Sequence, residues 1–299
     1  MSEVQSDAGI QPVGRVRKVA FYALVVLFTL MILGMSPLFF AVIALFLEET
    51  VTHRIHETAF GFIFVLSLVG LLVQLRRPTY KIAQMWQAAI PIWLTILAII
   101  LIGEQPTPDI LIYLIIPALI IVLHPGRQLL FRPPTDLSRL LMALTIVAAV
   151  PLLAFAIEEF RIGQDAAAIA GDVIRNLPDD ISDEEAEQRV RDTADNREDE
   201  EKVVHFGHWS AMAAFAVSIV VLAGLAALRP PGWRLTAWSA GIACFIYGFA
   251  SLIVPDDASA ATTVWAVVAM LWGIGFIFAA EYELRSQARA RAAPAPSAA

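Results

Sequence analysis

Charged residues are scarce in this chain of 299 residues, and cysteine is almost absent. Asp, Glu, Lys and Arg make up 16% of the sequence, against about 25% in an ordinary soluble domain, and apolar residues make up 58%. The apolar residues lie in long runs: residues 19–47 and 82–103, for example, contain no charged residue and no histidine. This pattern excludes a soluble globular domain, and the single cysteine, Cys244, excludes an intrachain disulfide.

Several chemical signatures are also missing. The apolar runs carry no charged residue near their midpoints, where ion-coupled transporters and proton pumps usually hold one. The last run contains no lysine, which excludes a retinal Schiff base there. The sequence has no glycine-rich phosphate loop, and no serine or cysteine is visibly paired with a base. The pattern therefore favours a protein that is not an enzyme, without deciding the point.

The chain contains eight apolar runs, each predicted to cross a bilayer as a helix. A helix needs about 20 apolar residues to span the hydrocarbon core, and only helices or closed barrels satisfy their backbone there. The first run is long, and Pro37 is the expected place of a kink because it removes a helix hydrogen bond. The fold class is an all-α, polytopic membrane protein, with predicted spans at 19–47, 58–75, 82–103, 110–124, 138–157, 207–228, 234–254 and 261–282.

The basic residues predict the orientation. If both termini are cytoplasmic, 14 of the 21 Lys and Arg residues lie in the inner segments, and the three short outer loops contain only Arg54. We therefore expect a plasma-membrane protein with a cytoplasmic tail at 1–18 and a disordered tail at 286–299. The net charge of −7 reflects an acidic outer face and gives no argument for nucleic-acid binding.

The two halves of the chain resemble each other. With a shift of 152 residues, "EETVTHRIH" (48–56) aligns with "EEKVVHFGH" (200–208), and residues 48–90 share 13 of 43 positions with 200–242. This pattern predicts two four-helix repeats, at 19–130 and 131–285. Because four is even, both repeats would have the same orientation, related by a pseudo-twofold axis along the membrane normal.

An acidic outer loop at 160–204 interrupts the second repeat. Residues 166–177 have helical spacing of apolar residues, and Ser182 with Glu185 forms a capping-box pattern. A short helical hairpin is expected, with Glu185 paired to Arg189 and Glu187 to Arg191. The loop is either a lid or docking surface for a protein partner, or only a solvated acidic segment.

Two H-x-x-H pairs stand at the outer start of equivalent helices. Residues three apart on a helix lie on one side of it, so each pair presents two imidazoles together. Imidazole with carboxylate suits a transition metal ion, and two opposed imidazoles also suit haem b. The candidate ligands are His53, His56, His205, His208, Glu49, Glu57 and Glu201.

Three alternatives to this site remain open. The histidines are helix caps that bind nothing, which interfacial histidines often are. The protein is a transporter for a small solute that moves between the repeats. Or it is a structural or partner-binding membrane component without a ligand. His124, at the inner end of the fourth span, has no counterpart in the other half and is interpreted as a helix-end residue.

Overall fold

The structure is a computed structural model, and it describes most of the chain. The described residues are 14–35, 38, 44–47, 54–103, 108–133, 136–176 and 206–292, with residues 178, 182, 185, 188, 189 and 192 between the last two segments. Among them the candidate residues Glu49, His53, Glu201 and His205 do not appear, and neither does Pro37.

The described residues form helices and contain no strand. Two short 3₁₀ segments, Val73–Leu75 and Pro78–Tyr80, lie in the turn after α3. The α-helices are α1 (Arg15–Gly34), α2 (Ala44–Leu47), α3 (Arg54–Leu72), α4 (Ile82–Leu101), α5 (Pro108–Leu123), α6 (Arg127–Leu130), α7 (Arg139–Arg175), α8 (Phe206–Ala227), α9 (Trp233–Ile253) and α10 (Thr263–Ala292).

Seven of these helices are long and apolar enough to cross a membrane: α1, α3, α4, α7, α8, α9 and α10. This confirms a multi-pass membrane protein whose apolar helix surfaces contact the lipid bilayer. Helix α5 is apolar too, but it has only 16 residues, fewer than the roughly 20 that span a bilayer without thinning it. The eighth span therefore remains a prediction.

Helix α7 differs from the sequence-based expectation. The apolar run was expected to end at residue 157 and a separate helical hairpin to follow, but the helix continues without a break to Arg175. The physical reason is composition: no proline follows Pro151 in this helix, and the alanine-rich segment 166–170 strongly favours helix. Further along, the Glu185 N–H donates to Ser182 Oγ at 3.2 Å and Arg189 pairs with Glu185, as predicted. Residues 187 and 191 lie outside the described residues.

Four helices form the centre of the bundle and the others surround it. In α3, α4, α8 and α9, between 56% and 72% of the apolar window is buried, against 22–28% in α1, α7 and α10. Small residues allow close contact: a Cβ on Gly70 would lie 2.6 Å from the Gln84 carbonyl oxygen, and one on Gly241 would lie 2.7 Å from the Gly273 carbonyl oxygen. Such approaches are typical of membrane helix packing, which depends on van der Waals contact.

The bundle has two polar ends, which we name by their residues. The arginine end contains the α3–α4 and α8–α9 turns, where Arg77 and Arg229 each precede a proline and both have positive φ, at 54° and 51°. The histidine end contains the starts of α3 and α8 and the loop 254–262 after α9. Positive φ is unusual for a residue other than glycine, so the two turns share an uncommon conformation.

Candidate functional site at the histidine end

His56 and His208 meet at the histidine end. His56 lies in the first turn of α3 and is 4% exposed, and His208 lies in the first turn of α8. Their ring centroids are 5.5 Å apart, with the ring planes tilted by 51°. The chain therefore brings together one histidine from each H-x-x-H pair, although they are 152 residues apart in the sequence.

A buried hydrogen-bonded chain fixes the His56 ring. His56 Nε2 lies 2.6 Å from Ser259 Oγ, and the Ser259 hydroxyl donates to Glu159 Oε2 at 2.9 Å. All three side chains are buried, Ser259 at 2% and Glu159 at 4% exposure. Because the Ser259 hydroxyl donates to Glu159, its oxygen is left to accept the N–H of His56 Nε2. In that tautomer the lone pair of His56 lies on Nδ1.

Aromatic residues enclose the same side chains. The edge of Trp209 packs against the His56 ring, with centroids 4.8 Å apart. The Tyr247 hydroxyl donates to the Ser259 carbonyl oxygen at 3.0 Å, and the Ala261 N–H donates to Ser251 Oγ at 3.1 Å. Both bonds attach the loop 254–262 to α9. The loop is thereby held so that Ser259 stays between His56 and Glu159.

Asp257 is a second buried carboxylate at this end. Its Oδ2 accepts the Ile55 N–H at 3.3 Å, which satisfies one of the free donors at the start of α3. Its Oδ1 is buried and has no hydrogen-bond partner among the described residues. Burial raises the pKa of Asp257 from 3.8 to about 6, although hydrogen bonds from the backbone of Ile55, Ser259 and Arg54 and the positive charge of Arg54 oppose the rise.

Two buried carboxyl groups, Glu159 and Asp257, lie at the histidine end. Within the described part of the chain, no ion pair within 4.0 Å joins Glu159 or Asp257 to a lysine or arginine. A buried carboxylate is costly unless a cation or several donors compensate it. The arrangement is therefore one in which an added cation would gain favourable interactions.

The predicted site residues are only partly placed. His56 and His208 come together, and Glu57 lies half-buried in the first turn of α3 beside them in sequence. His53, His205, Glu49 and Glu201 lie outside the described residues. Within the described ranges, no group of three or more His, Cys, Asp or Glu side chains forms a metal-binding cluster. The complete ligand set therefore stays a prediction.

Three residues of the site were not among the predicted ligands: Glu159, Ser259 and Asp257. Glu159 and Asp257 could have been found from the sequence, because each belongs to an acidic pair that follows an apolar stretch. Glu158–Glu159 follow such a stretch of α7, and Asp256–Asp257 follow the end of α9. Ser259 carried no such signal. Its place between His56 and Glu159 depends on packing between segments 100 and 203 residues apart.

Comparison with known proteins adds no assignment. No family model matches the chain, and no curated protein or solved structure matches it either. Only the geometry of the histidine end therefore bears on the function of the protein.

Proposed function

We propose that this protein is an integral membrane protein that binds a transition metal ion at the histidine end, with His56 and His208 as two of its ligands. The observation that carries the proposal is the 5.5 Å separation of the two ring centroids. With metal–nitrogen bonds of about 2 Å, two imidazoles on one tetrahedral ion have ring centroids about 5 Å apart. The two rings are thus close to the spacing that a shared ion requires.

The surroundings of His56 support the same function. Metal-bound histidines usually donate their second ring N–H to a carboxylate or another acceptor, which fixes the tautomer and the ring orientation. Here Nε2 has that partner in Ser259, and Glu159 lies behind it. Coordination would then use Nδ1 of His56. We predict that the remaining ligands come from His53, His205, Glu49, Glu57 and Glu201, which adjoin the two described histidines in sequence.

A single ion fits better than haem b. Two imidazoles on opposite faces of a haem iron have centroids about 6 Å apart and need a slot between them that is wide enough for the porphyrin. The observed 5.5 Å spacing is shorter, and Trp209 and Ser259 already pack against His56. The geometry therefore gives haem less support than a bare ion.

The proposal includes the two-repeat architecture. Two contacts join positions that are 152 apart: His56 with His208, and Gln87 Nε2 with Ser239 Oγ at 3.0 Å. A pseudo-twofold axis brings equivalent residues together in this way, and the shared backbone conformation of Arg77 and Arg229 also supports it. In this proposal the repeats are 19–130 and 131–285, with eight spans.

The proposed orientation follows from the basic residues. The arginine end and both termini would be cytoplasmic and the histidine end extracytoplasmic, in the plasma membrane, because 14 of the 21 Lys and Arg residues then lie inside. A metal ion would reach the site from the outer side. The acidic loop 160–204, mostly outside the described residues, remains a proposed docking surface for a protein partner.

Transport of a solute between the repeats has less support. A gap among Ile55, Phe62, Phe215 and Tyr247 lies between the two halves and is too narrow for a water molecule. Phe62 and Phe215 also contact each other across this interface, with centroids 6.5 Å apart. A pathway there would require these helices to separate.

Metal analysis tests the proposed function. Protein purified without chelator from metal-replete cells should contain stoichiometric metal, and replacing the bound ion with Co²⁺ should give the visible absorption of a nitrogen-ligated site. The variant His56→Ala with His208→Ala should lose both signals. His124→Gln, a histidine substitution at the arginine end, is the matched control and should keep them.

Two results would contradict the proposal. One is a wild-type preparation that stays metal-free after exposure to Zn²⁺, Cu²⁺ and Co²⁺. The other is metal content in the double variant equal to that of the wild type. An intense Soret band in the wild type would instead support haem b over a bare ion.

A further inference from the structure

A lipid-facing groove runs between α4, α7 and α8, apart from the histidine cluster. Its volume is about 510 Å³, within the range of about 300–1,000 Å³ that small-molecule sites occupy. Apolar side chains form nearly all of its wall. The lining includes Leu97 on α4, Leu153, Arg161 and Gln164 on α7, and Ala213 and Val217 on α8.

The groove has the length of one leaflet. Along α7 its lining extends from Leu153 to Gln164, which at 1.5 Å per residue is about 16 Å. The hydrocarbon core of a bilayer is about 30 Å thick, so this length is about half of it. The groove is therefore suited to an extended acyl chain of the leaflet at the histidine end.

Its two polar residues, Arg161 and Gln164, lie at one end. Both α4 and α7 run towards the histidine end, so these residues lie where a lipid of that leaflet has its head group. Within the described part of the chain Arg161 forms no ion pair, although the exposed carboxylates Glu158 and Asp165 lie three before it and four after it on α7. Guanidinium groups bind phosphate through paired charge-assisted hydrogen bonds.

We propose that this groove binds one phospholipid of the histidine-end leaflet, with an acyl chain against Leu97, Leu153 and Val217 and its phosphate at Arg161 and Gln164. The Arg161 guanidinium complements the phosphate, and the apolar wall complements the acyl chain.

A second groove provides a contrast within the same molecule. It lies between α7, α9 and α10, has a volume of about 590 Å³, and is lined from Val147 to Phe155 on α7 and from Trp265 to Trp272 on α10. None of the described residues that line it is charged. Lipid chains can enter it, but it has no group that would select a phosphate. Retention of a specific phospholipid is therefore expected only at the first groove.

The experiment measures lipid retained by the full chain after purification in mild detergent. Native mass spectrometry should detect a bound phospholipid on the wild type, identified by its mass. Arg161→Glu should reduce the retained fraction about tenfold, since a hydrogen bond to a charged group is lost and a repulsion is added. Arg175→Glu, an exposed arginine on the same helix outside the groove, is the matched control and should retain the lipid.

A second pair of variants tests the acyl-chain part. Ala213→Phe should fill the groove and reduce retention without a change of charge. Val264→Phe, on a lipid-facing surface of α10 at 71% exposure, should not. Both variants should also unfold thermally at midpoints close to the wild-type value. If Ala213→Phe fails to fold, a motionally restricted spin-labelled phospholipid on the wild type in nanodiscs replaces it as the readout.

The following results would overturn the inference. Wild-type protein could retain no phospholipid, or retain an isoprenoid in its place. Arg161→Glu and Arg175→Glu could lose lipid equally. Inorganic phosphate could displace the bound phospholipid, while the acyl chain of the lipid made no difference to its affinity. None of these readouts depends on the metal site, so the two proposals fail independently.

Discussion

The two ends of the helix bundle both bury polar groups, but they compensate them differently. At the arginine end, Arg229 is 8% exposed on its side chain and pairs with both Asp136 and Glu283. At the histidine end, Glu159 and Asp257 are equally buried, and no described lysine or arginine forms an ion pair with either. Compensated charges are what a structural role requires. Carboxyl groups that lack an ion pair and lie near two imidazoles can offer oxygen ligands to a cation.

The arginine end is built from local caps and bridges. Arg17 donates to the carbonyl oxygens of residues 122–124, which closes the end of α5. His124 follows α5 directly, as the sequence predicted for a helix-end residue. Its Nδ1 accepts the Gly126 N–H at 2.9 Å, and its Nε2 lies 3.2 Å from Gln74 Oε1. Both ring nitrogens of His124 thus have hydrogen-bond partners within the protein, and neither remains for a ligand.

The largest expected effect is at the most buried charge of the arginine end. Arg229→Ala removes the partner of Glu283, whose side chain is 18% exposed. Breaking a buried ion pair from one side costs about 3–5 kcal/mol, because the remaining charge is left uncompensated. Thermal or denaturant unfolding in detergent measures this loss. Arg234→Ala removes a more exposed ion pair with Glu281 and should cost at most about 1 kcal/mol. Equal losses in both variants would contradict the comparison.

His124 should make the protein sensitive to acid. Burial and the nearby Arg17 charge lower the pKa of His124 from 6.5 to about 4. Below pH 6.5 the unfolded chain binds a proton at this residue that the folded chain does not, so stability falls as the pH falls from 6.5 to 4. The loss is about 3 kcal/mol over that window at about 1.4 kcal/mol per pKa unit. His124→Gln should lose this pH dependence in unfolding measurements of chelator-treated protein.

Asp257, at the histidine end, should give stability the opposite pH dependence. Its pKa is raised from 3.8 to about 6, so the folded chain holds a proton that the unfolded chain has released. This contribution to stability is present below pH 3.8 and is lost as the pH rises through 6. Asp257→Asn should therefore increase stability at neutral pH relative to the wild type, by about 3 kcal/mol.

Unfolding measurements on these two variants over a range of pH separate the contributions of the two ends to stability. The His124→Gln protein should keep the Asp257 contribution to the slope and lose that of His124, and the Asp257→Asn protein should do the reverse. A wild-type profile that neither substitution changes would mean that neither group titrates as its burial indicates. Chelator is included in each measurement so that metal binding does not add its own pH dependence.

The sequence predicted the helices better than the contacts between them. Apolar runs and the H-x-x-H repeat are local patterns, so the long helices and the candidate status of His56 and His208 followed from them. The helical character of the segment from residue 166 was predicted, but its continuity with α7 was missed, because Glu158–Glu159 and the polar residues after them resemble the end of a membrane span. The bond from His56 to Ser259 was not predictable, because it depends on how the loop after α9 packs against α3. Glu49, His53, Glu201 and His205 remain predictions.

The smallest expected effect concerns how precisely His56 is held. Ser259→Ala removes the hydroxyl that receives the Nε2–H, so the ring loses its preferred tautomer and orientation while both imidazoles remain. Loss of such an outer partner typically weakens metal affinity about 10–100-fold. Ser259→Thr keeps the hydroxyl and should restore most of the affinity, which titration with Co²⁺ monitored by visible absorption measures. If Ser259→Ala binds metal as tightly as the wild type while His56→Ala does not, then His56 coordinates through a ring whose orientation Ser259 does not control.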